Sequence, residues 1–259
     1  MAPIDAAGWA ERLTSARVDI TETEPITASI DLPVSAAYEI QRRVVANQVA
    51  SGDKVIGAKL GLTSKAKQVQ MGVDEPIFGV LTASMPLSSG GSFELASLIH
   101  PRCEPEIVFI IGEDLSGADL SGHDILDATK SVHGGIEVID SRYRAFSFTL
   151  PDVIADNTSA ARFVVSEEGA SPTDFDLTVM GCTFMHNSDV SGTATGAALL
   201  GNPAECVALL VRHLSGTDEI LPAGSVVLAG SLTDAVAASA GDVFSARYGG
   251  LGDASVGVS

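Results

Sequence analysis

Residues 100–112 read HPRCEPEIVFIIG. The stretch Ile107–Ile111 is apolar, rich in Ile, Val and Phe, and closed by Gly112, which predicts a buried β-strand. Glu104 and Glu106 stand at the mouth of that strand, one residue apart. On a strand, residues i and i+2 point to the same face, so the two carboxylates project together. Such a pair repels, and one pKa rises unless a cation compensates. Pro105 between them has no amide donor, which predicts a strand start or a sheet edge. Spacing alone leaves three readings open: a solvated strand end, an acid/base pair, or two metal ligands.

Similar runs recur outward from this one. VIGAKLGL (55–62), GGIEVIDSRY (134–143), ARFVVSEE (161–168), FDLTVMGCTFMHN (175–187), SVVLAG (225–230) and DVFSARYG (242–249) are short, apolar and separated by Gly, Pro, Asn and Asp. TFMHNSDVSGTATG (183–196) reads as a hairpin turning near Asn187-Ser188. NPAECVALLVRHLSG (202–216) is the one good helix among the strands, with Pro near its start and Gly at its end. Residues 1–55 read as helical. In SAAYEIQRRVVANQVASG (35–52), Ala37, Tyr38, Gln41, Val44, Val45 and Val49 recur near helical spacing, with Ser35 as the expected N-cap. The expected class is α+β: a helical cap or flank over residues 1–55 and a β-rich body over 56–259.

Composition narrows the function. A chain of 259 residues with 46% hydrophobic content buries a sizeable core. A net charge of −18 repels phosphate backbones and anionic lipid, so nucleic acid and membrane surfaces are poor partners. It also repels acidic substrates, so an acid-binding site must supply positive charge locally. Cys103, Cys182 and Cys206 are odd in number with no CxxC spacing, which fits a reducing cytoplasm rather than a disulfide framework. MAPIDAAGWAERL at the N-terminus carries acid and no long apolar run, unlike a signal peptide. No segment approaches the roughly 18 unbroken apolar residues of a membrane helix.

A third acid adds weight to the Glu pair. Glu137 sits between Ile136 and Val138, so it either faces solvent or is buried and paired. Asp140 reads as structural, pairing with Arg142. Three converging carboxylates suit a hard divalent cation such as Mg²⁺ or Mn²⁺, with positions left for a bidentate oxygen ligand such as a 2-oxo acid. Lys59 alternates with Ala58 and Leu60, so a strand turns it to the opposite face from both. It is a candidate anion-binding or acid/base group. The following GLTSKAK predicts a turn and then a helix capped by Thr63 or Ser64. In ADNTSAARF (155–163), Asp156, Asn157 and Ser159 either form an Asx turn or orient a site lysine or water. The five histidines show no HxxxH or HxH spacing, and there is no nucleophile elbow, P-loop or dinucleotide fingerprint.

Four blocks then agree in order and spacing: GAKLGLTSKAKQVQMGVDEPIFGVL (57–81), HPRCEPEIVFIIG (100–112), IEVIDSRYRAFSFTLPDVIADNTSAARFV (136–164) and TGAALLGNPAECVALLV (195–211). Together the chain resembles the 2-oxopent-4-enoate hydratase / 4-oxalocrotonate decarboxylase family of the fumarylacetoacetate hydrolase superfamily. The resemblance implies a mixed β-sheet roll with flanking helices. It implies Mg²⁺ or Mn²⁺ at Glu104, Glu106 and Glu137, catalytic roles for Lys59 and Asp156, and substrate contacts at Ser159, Leu60 and Ile77. It further implies a cytoplasmic homo-oligomer acting on a small dicarboxylic 2-oxo acid in meta-cleavage of aromatic compounds, with a possible complex with the next-step hydratase. Family hydratases carry Asp in a PDFG turn, whereas residues 76–79 here read PIFG. Ile77 cannot activate water, which points to the decarboxylase branch. The alternatives are the sibling hydratase, a C–C hydrolase or oxaloacetate-type decarboxylase of the superfamily, and a catalytically silent partner subunit.

Overall fold

The structure, a computed structural model, describes residues 4–217 and 219–259. The first three residues of the N-terminal stretch read above lie outside that range. Helix α1 (Ala6–Val18) starts at Asp5, whose carboxylate accepts the Gly8 amide at 3.0 Å. Helix α2 (Val34–Ala50) buries Ala37, Ile40, Gln41, Val44, Val45 and Gln48, while Val49 faces outward. Its cap is Pro33 rather than the expected Ser35. The Pro33 carbonyl accepts the Ala37 amide at 3.0 Å, so the first turn closes before Ser35 is reached. Among the described residues no helix is long and apolar enough to cross a membrane.

The body is mixed β with helices. Its strands are β1 (Val55–Gly61), β2 (Ile77–Thr82), β3 (Pro86–Leu87), β4 (Ser92–Phe93), β5 (Arg102–Ile111), β6 (Thr129–Ile139), β7 (Ala160–Ala170), β8 (Gly181–His186), β9 (Asp189–Thr195), β10 (Val226–Ser231), β11 (Val236–Ala237), β12 (Val243–Tyr248) and β13 (Ala254–Val258). The helices are α3 (Lys65–Met71), α4 (Gly122–Asp127), α5 (Leu150–Ala155) and α6 (Pro203–Ser215). Ser64 caps α3 and Asn202 caps α6. The β8–β9 hairpin turns at Asn187-Ser188, with His186 opposite Asp189, as its sequence predicts. Helices α4 and α5 add two short helices to the two expected in the body; each carries a capping box, Ser121 with Asp124 and Thr149 with Asp152.

The larger sheet runs β2-β1-β10-β5-β6-β7-β3, with β11 on β5. Strands β2 and β7 lie near opposite ends of that order yet touch, so the sheet curls into a roll. One face of the roll packs Ile107, Phe109, Ile136 and Val138 against Phe184, Phe244 and Val256 of the second sheet (β4-β13-β12-β8-β9) and against α6. This is the main core. The inner face carries a smaller apolar cluster of Leu81, Val108, Phe163 and Leu228. A third cluster joins α1 and α2 to Ile77, Tyr143 and Val153–Ala155. The N-terminal helices therefore cover the roll by packing on the 143–155 segment.

Pro105 corrects an expectation. It sits in the interior of the sheet, opposite Ile136 on β6, not at an edge or strand start. On the other side, the β5–β10 ladder breaks between Leu228 and Ser231. The break places the missing proline N–H where the partner strand is bulged and asks for no bond.

Candidate metal centre and active site

Strand register assembles the site. Glu104 lies opposite Glu137, and Glu106 lies opposite Gly135 on β6. Lys59 on β1 pairs with Leu228, which pairs with Val108, so Lys59, Glu104, Glu106 and Glu137 share the inner face of the roll. A carboxylate oxygen of each of the three glutamates lies within 4.8 Å of the others. All three are buried, Glu106 completely.

Two glycines make room. A Cβ on Gly135 would meet Val108 Cγ2 at 2.5 Å, and one on Gly230 would meet Thr63 Oγ1 at 1.9 Å. Gly230 also has φ +125° and donates its amide to Glu106 Oε2. From behind, the Tyr248 hydroxyl lies 2.9 Å from the Glu106 carbonyl and 2.6 Å from that of Gly135, pinning β5 and β6 to the second sheet.

Lys59 is 2% exposed, and its Nζ lies 2.6 Å from Glu137 Oε1 and donates to the Thr158 carbonyl at 3.1 Å. The acceptor belongs to a tight turn in which Asn157, Thr158 and Ser159 have φ of 49°, 52° and 56° in succession. Thr and Ser rarely adopt that region, so the turn must be held from outside. It is held at four points. The Asn157 amide exchanges hydrogen bonds with Val80 on the edge strand β2, 2.8 and 2.9 Å. Thr158 Oγ1 donates to the Phe78 carbonyl at 3.0 Å. The Ser159 amide donates to Asp156 O, and the Ser159 carbonyl accepts the Asp140 amide.

The remaining predicted residues fall as follows. Asp156 is buried, but its carboxylate goes to Arg142, accepting from the guanidinium Nε and the Arg142 amide. Arg142 therefore pairs with Asp156, not with Asp140 as expected; the Asp140 carboxylate accepts the Ile99 and His100 amides at 2.9 and 2.7 Å. Both Asp140 carboxylate oxygens are taken by those two amides, so Arg142 reaches only the Asp140 backbone carbonyl and gives its Nε to Asp156 across the turn. Ile77 lies opposite Gly61, two residues from the Lys59–Gly79 pair and on the same face, where it joins the cluster under the N-terminal helices. The Leu60 side chain is in the main core on the opposite face from Lys59, so only its backbone is available on the Lys59 side. Ser159 is buried, and its Oγ has no hydrogen-bond partner among the described residues.

Lys67 and Gln68 escaped the sequence reading. Lys67 Nζ comes 3.8 Å from Glu104 Oε2, and the neighbouring Gln68 is fully buried with neither amide atom bonded among the described residues. Their position after a capped turn that begins two residues beyond the Lys59 strand was the available signal.

The donor set fits a hard divalent cation. Glu106 Oε1 and Glu137 Oε2 are buried and without hydrogen-bond partners among the described residues, which is costly for carboxylates that stay charged. Burial, followed by Glu137 and Glu104, pushes the Glu106 carboxyl well above its ordinary value. Burial raises Glu137 to about 7, against the pull of Lys59. An ion bound by all three would offset both costs and use oxygen ligands of the type Mg²⁺ takes.

No protein-family model matches the chain. It is 39% identical over 243 residues to 4-oxalocrotonate decarboxylase of Pseudomonas sp. (strain CF600), covering 93% of this chain and 92% of that protein. It is 37% identical over 250 residues to 2-hydroxyhexa-2,4-dienoate hydratase of Comamonas testosteroni, covering 95% and 93%. The structure superposes on 4-oxalocrotonate decarboxylase from Pseudomonas putida G7, complexed with magnesium and adipate, with TM-score 0.95 and 35% identity over 98% of this chain and 97% of that one. The wider fold is shared with fumarylpyruvate hydrolase from Pseudomonas aeruginosa (TM-score 0.61, 19% identity, 78% of this chain and 88% of that one).

Proposed function

The chain belongs to the 4-oxalocrotonate decarboxylase family, with its sibling 2-hydroxydienoate hydratases, and from that premise we propose how its residues carry out the reaction. The activity is metal-dependent decarboxylation of 2-oxohex-3-enedioate to 2-hydroxypenta-2,4-dienoate and CO₂. The observation that carries the reading is the buried Glu104–Glu106–Glu137 cluster with Lys59 against it.

Glu104, Glu106 and Glu137 would hold the cation, Mg²⁺ or Mn²⁺. When bound, it supplies Lewis-acid stabilisation to the negative charge that develops on the 2-oxo oxygen. The C5–C6 bond breaks, its electron pair moves through the C=C to that oxygen, and CO₂ leaves. One proton completes the dienol. Lys59 holds a proton at Nζ in a fixed place, between Glu137 Oε1 and the Thr158 carbonyl, and is the group that meets the developing dienolate. Asp156 acts through Arg142 as a positioning residue for the turn that supplies the Thr158 carbonyl. The Ser159 hydroxyl is free to meet a substrate oxygen. Leu60 offers backbone only. Ile77 gives the site wall an apolar side chain where a water-activating acid would serve a hydratase.

Residues 1–55 act as the helical cover of a catalytic body over 56–259. A cytoplasmic homo-oligomer of the meta-cleavage route, working beside the hydratase that consumes its reactive dienol product, accords with three buried free cysteines and with the product's chemistry. The hydratase reading keeps support from relatives of similar identity with hydratase names. The test is a product assay on 2-oxohex-3-enedioate and 2-hydroxypenta-2,4-dienoate side by side. CO₂ release that stops with EDTA and returns with Mg²⁺ is expected; metal-independent turnover, or water addition as the faster reaction, overturns the reading.

A further inference from the structure

A second basic centre lies apart from the glutamate cluster. A cavity of about 60 Å³ is lined by Arg17 of α1, Gln48 of α2, Ser84, the 97–99 loop, Asp140, Arg142 and Arg162 of β7. Neither Lys59 nor any of the three glutamates lines it. Three of the chain's ten arginines meet here, in a protein of net charge −18.

Their partners do not match. Arg142 is satisfied by Asp156, and the Asp140 carboxylate by the Ile99 and His100 amides. Among the described residues the Arg162 guanidinium donates only Nη1, to the Ala161 carbonyl at 2.9 Å. The Arg17 guanidinium makes no hydrogen bond or ion pair among the described residues, and its Nε is buried without a partner. The negative charge of Asp53 acts on Arg17, but its carboxylate is already taken by the Lys54 and Ser84 amides and the Ser84 hydroxyl. Burial, then the positive charges of Arg142 and Arg162, lower the Arg17 pKa from its ordinary value. A buried, unbonded donor beside like charges is costly on both counts.

We propose that Arg17 and Arg162 form a binding site for a small oxyanion, carboxylate or phosphate, that ties α1 to the start of β7. Guanidinium forks match such oxygens in geometry and charge. At a water's share of about 30 Å³, the cavity admits a group of a few heavy atoms, not a six-carbon diacid. The site stands independently of the reaction assigned above.

The test is thermal unfolding of the Mg²⁺-loaded full chain with inorganic phosphate, with acetate, and with chloride at matched ionic strength. Near a hundredfold excess over Kd, the Tm should rise by roughly 5–10 °C in at least one of the first two arms. Phosphate alone, acetate alone or both identifies the source. Arg17→Gln and Arg162→Gln should each abolish the rise while keeping Mg²⁺-dependent activity, and Arg17→Gln should be no less stable than the parent in chloride. Glu106→Gln should keep the rise, which separates it from anion binding at the metal centre. A rise equal to that in chloride, no rise in either arm, or a rise that survives both arginine substitutions overturns the proposal.

Discussion

Two buried carboxylate–cation pairs bear on the 156–159 turn and are finished differently. Asp156 and Arg142 are nearly saturated: the carboxylate accepts from Nε and from the Arg142 amide, and the guanidinium also reaches the Asp140, Asp156 and Ala160 carbonyls. Burial raises the Asp156 carboxyl only to about 6, because Arg142 opposes it. Glu137 and Lys59 are left open. Glu137 Oε2 has no hydrogen-bond partner among the described residues, and Glu106 and Glu104 crowd the same space. A saturated buried pair fixes a conformation; an unsaturated one, backed by two more acids, is a place for something else to bind. The difference separates positioning from chemistry more sharply than burial does, since all these groups are buried.

The largest effect expected from breaking the open site is on metal and activity. Glu106→Gln should lower kcat/KM by about 10³-fold or more, as the loss of several kcal/mol of charge stabilisation requires. It should weaken Mg²⁺ binding in calorimetry. The metal-free Tm should stay the same or rise, because a buried, repelled carboxylate is gone. A fall in metal-free Tm with unchanged Mg²⁺ affinity would make Glu106 a structural residue. Breaking the saturated pair should do the reverse. Arg142→Met leaves Asp156 buried and unpaired and should cost about 3–5 kcal/mol in urea unfolding, with Mg²⁺ affinity of the folded protein nearly kept.

Much of the open site was legible in the sequence, because strand parity is local. The shared face of Glu104 and Glu106 and the alternation of Lys59 with core residues needed only the two-residue period, while their meeting with Glu137 as one ligand set came from the family resemblance. The saturated pair was not legible, since Arg142 chooses between Asp140 and Asp156 by the path of the 140–159 turn, which tertiary packing decides. Pro105 misled for the same reason. The bulge that accommodates it is on β10, more than a hundred residues away in sequence. The Leu60 contact conflicted with its own strand alternation, which sends the side chain into the core. Lys67 and Gln68 lie on a short helix whose direction over the site follows from packing, not from periodicity.

Both pairs should carry a pH signature, since Asp156 is likewise raised, to about 6, but only that of the open site should respond to metal. Burial holds Glu106 and Glu137 above their ordinary values, Glu137 going from 4.5 to about 7. The metal-free folded state then binds more protons than the unfolded state across that interval. Their contribution to stability is present below about pH 4.5 and is lost as pH rises through about 7. EDTA-treated protein should therefore lose stability, on the order of a few kcal/mol, between pH 5 and 8. Saturating Mg²⁺ should remove that loss, because the ligands bind it deprotonated. Glu106→Gln with Glu137→Gln should shrink the loss to the part that Asp156 contributes and remove its response to Mg²⁺; an unchanged profile would move the titration elsewhere.

The smallest effect distinguishes two roles of Ile77, which belongs to both regions. It shares the inner face with Lys59, yet it packs with α1, α2 and the Tyr143–Ala155 segment that carries the saturated pair. Ile77→Val removes one buried methylene-sized group and should cost about 0.5–1.5 kcal/mol of stability. If Ile77 acts only through packing, kcat and KM on 2-oxohex-3-enedioate stay within about twofold, since the covering helices shift little. If it walls the reacting carboxylate, kcat falls by more than the stability loss explains, with Mg²⁺ affinity unchanged, because the lost contact then lies on the substrate and not on the metal ligands.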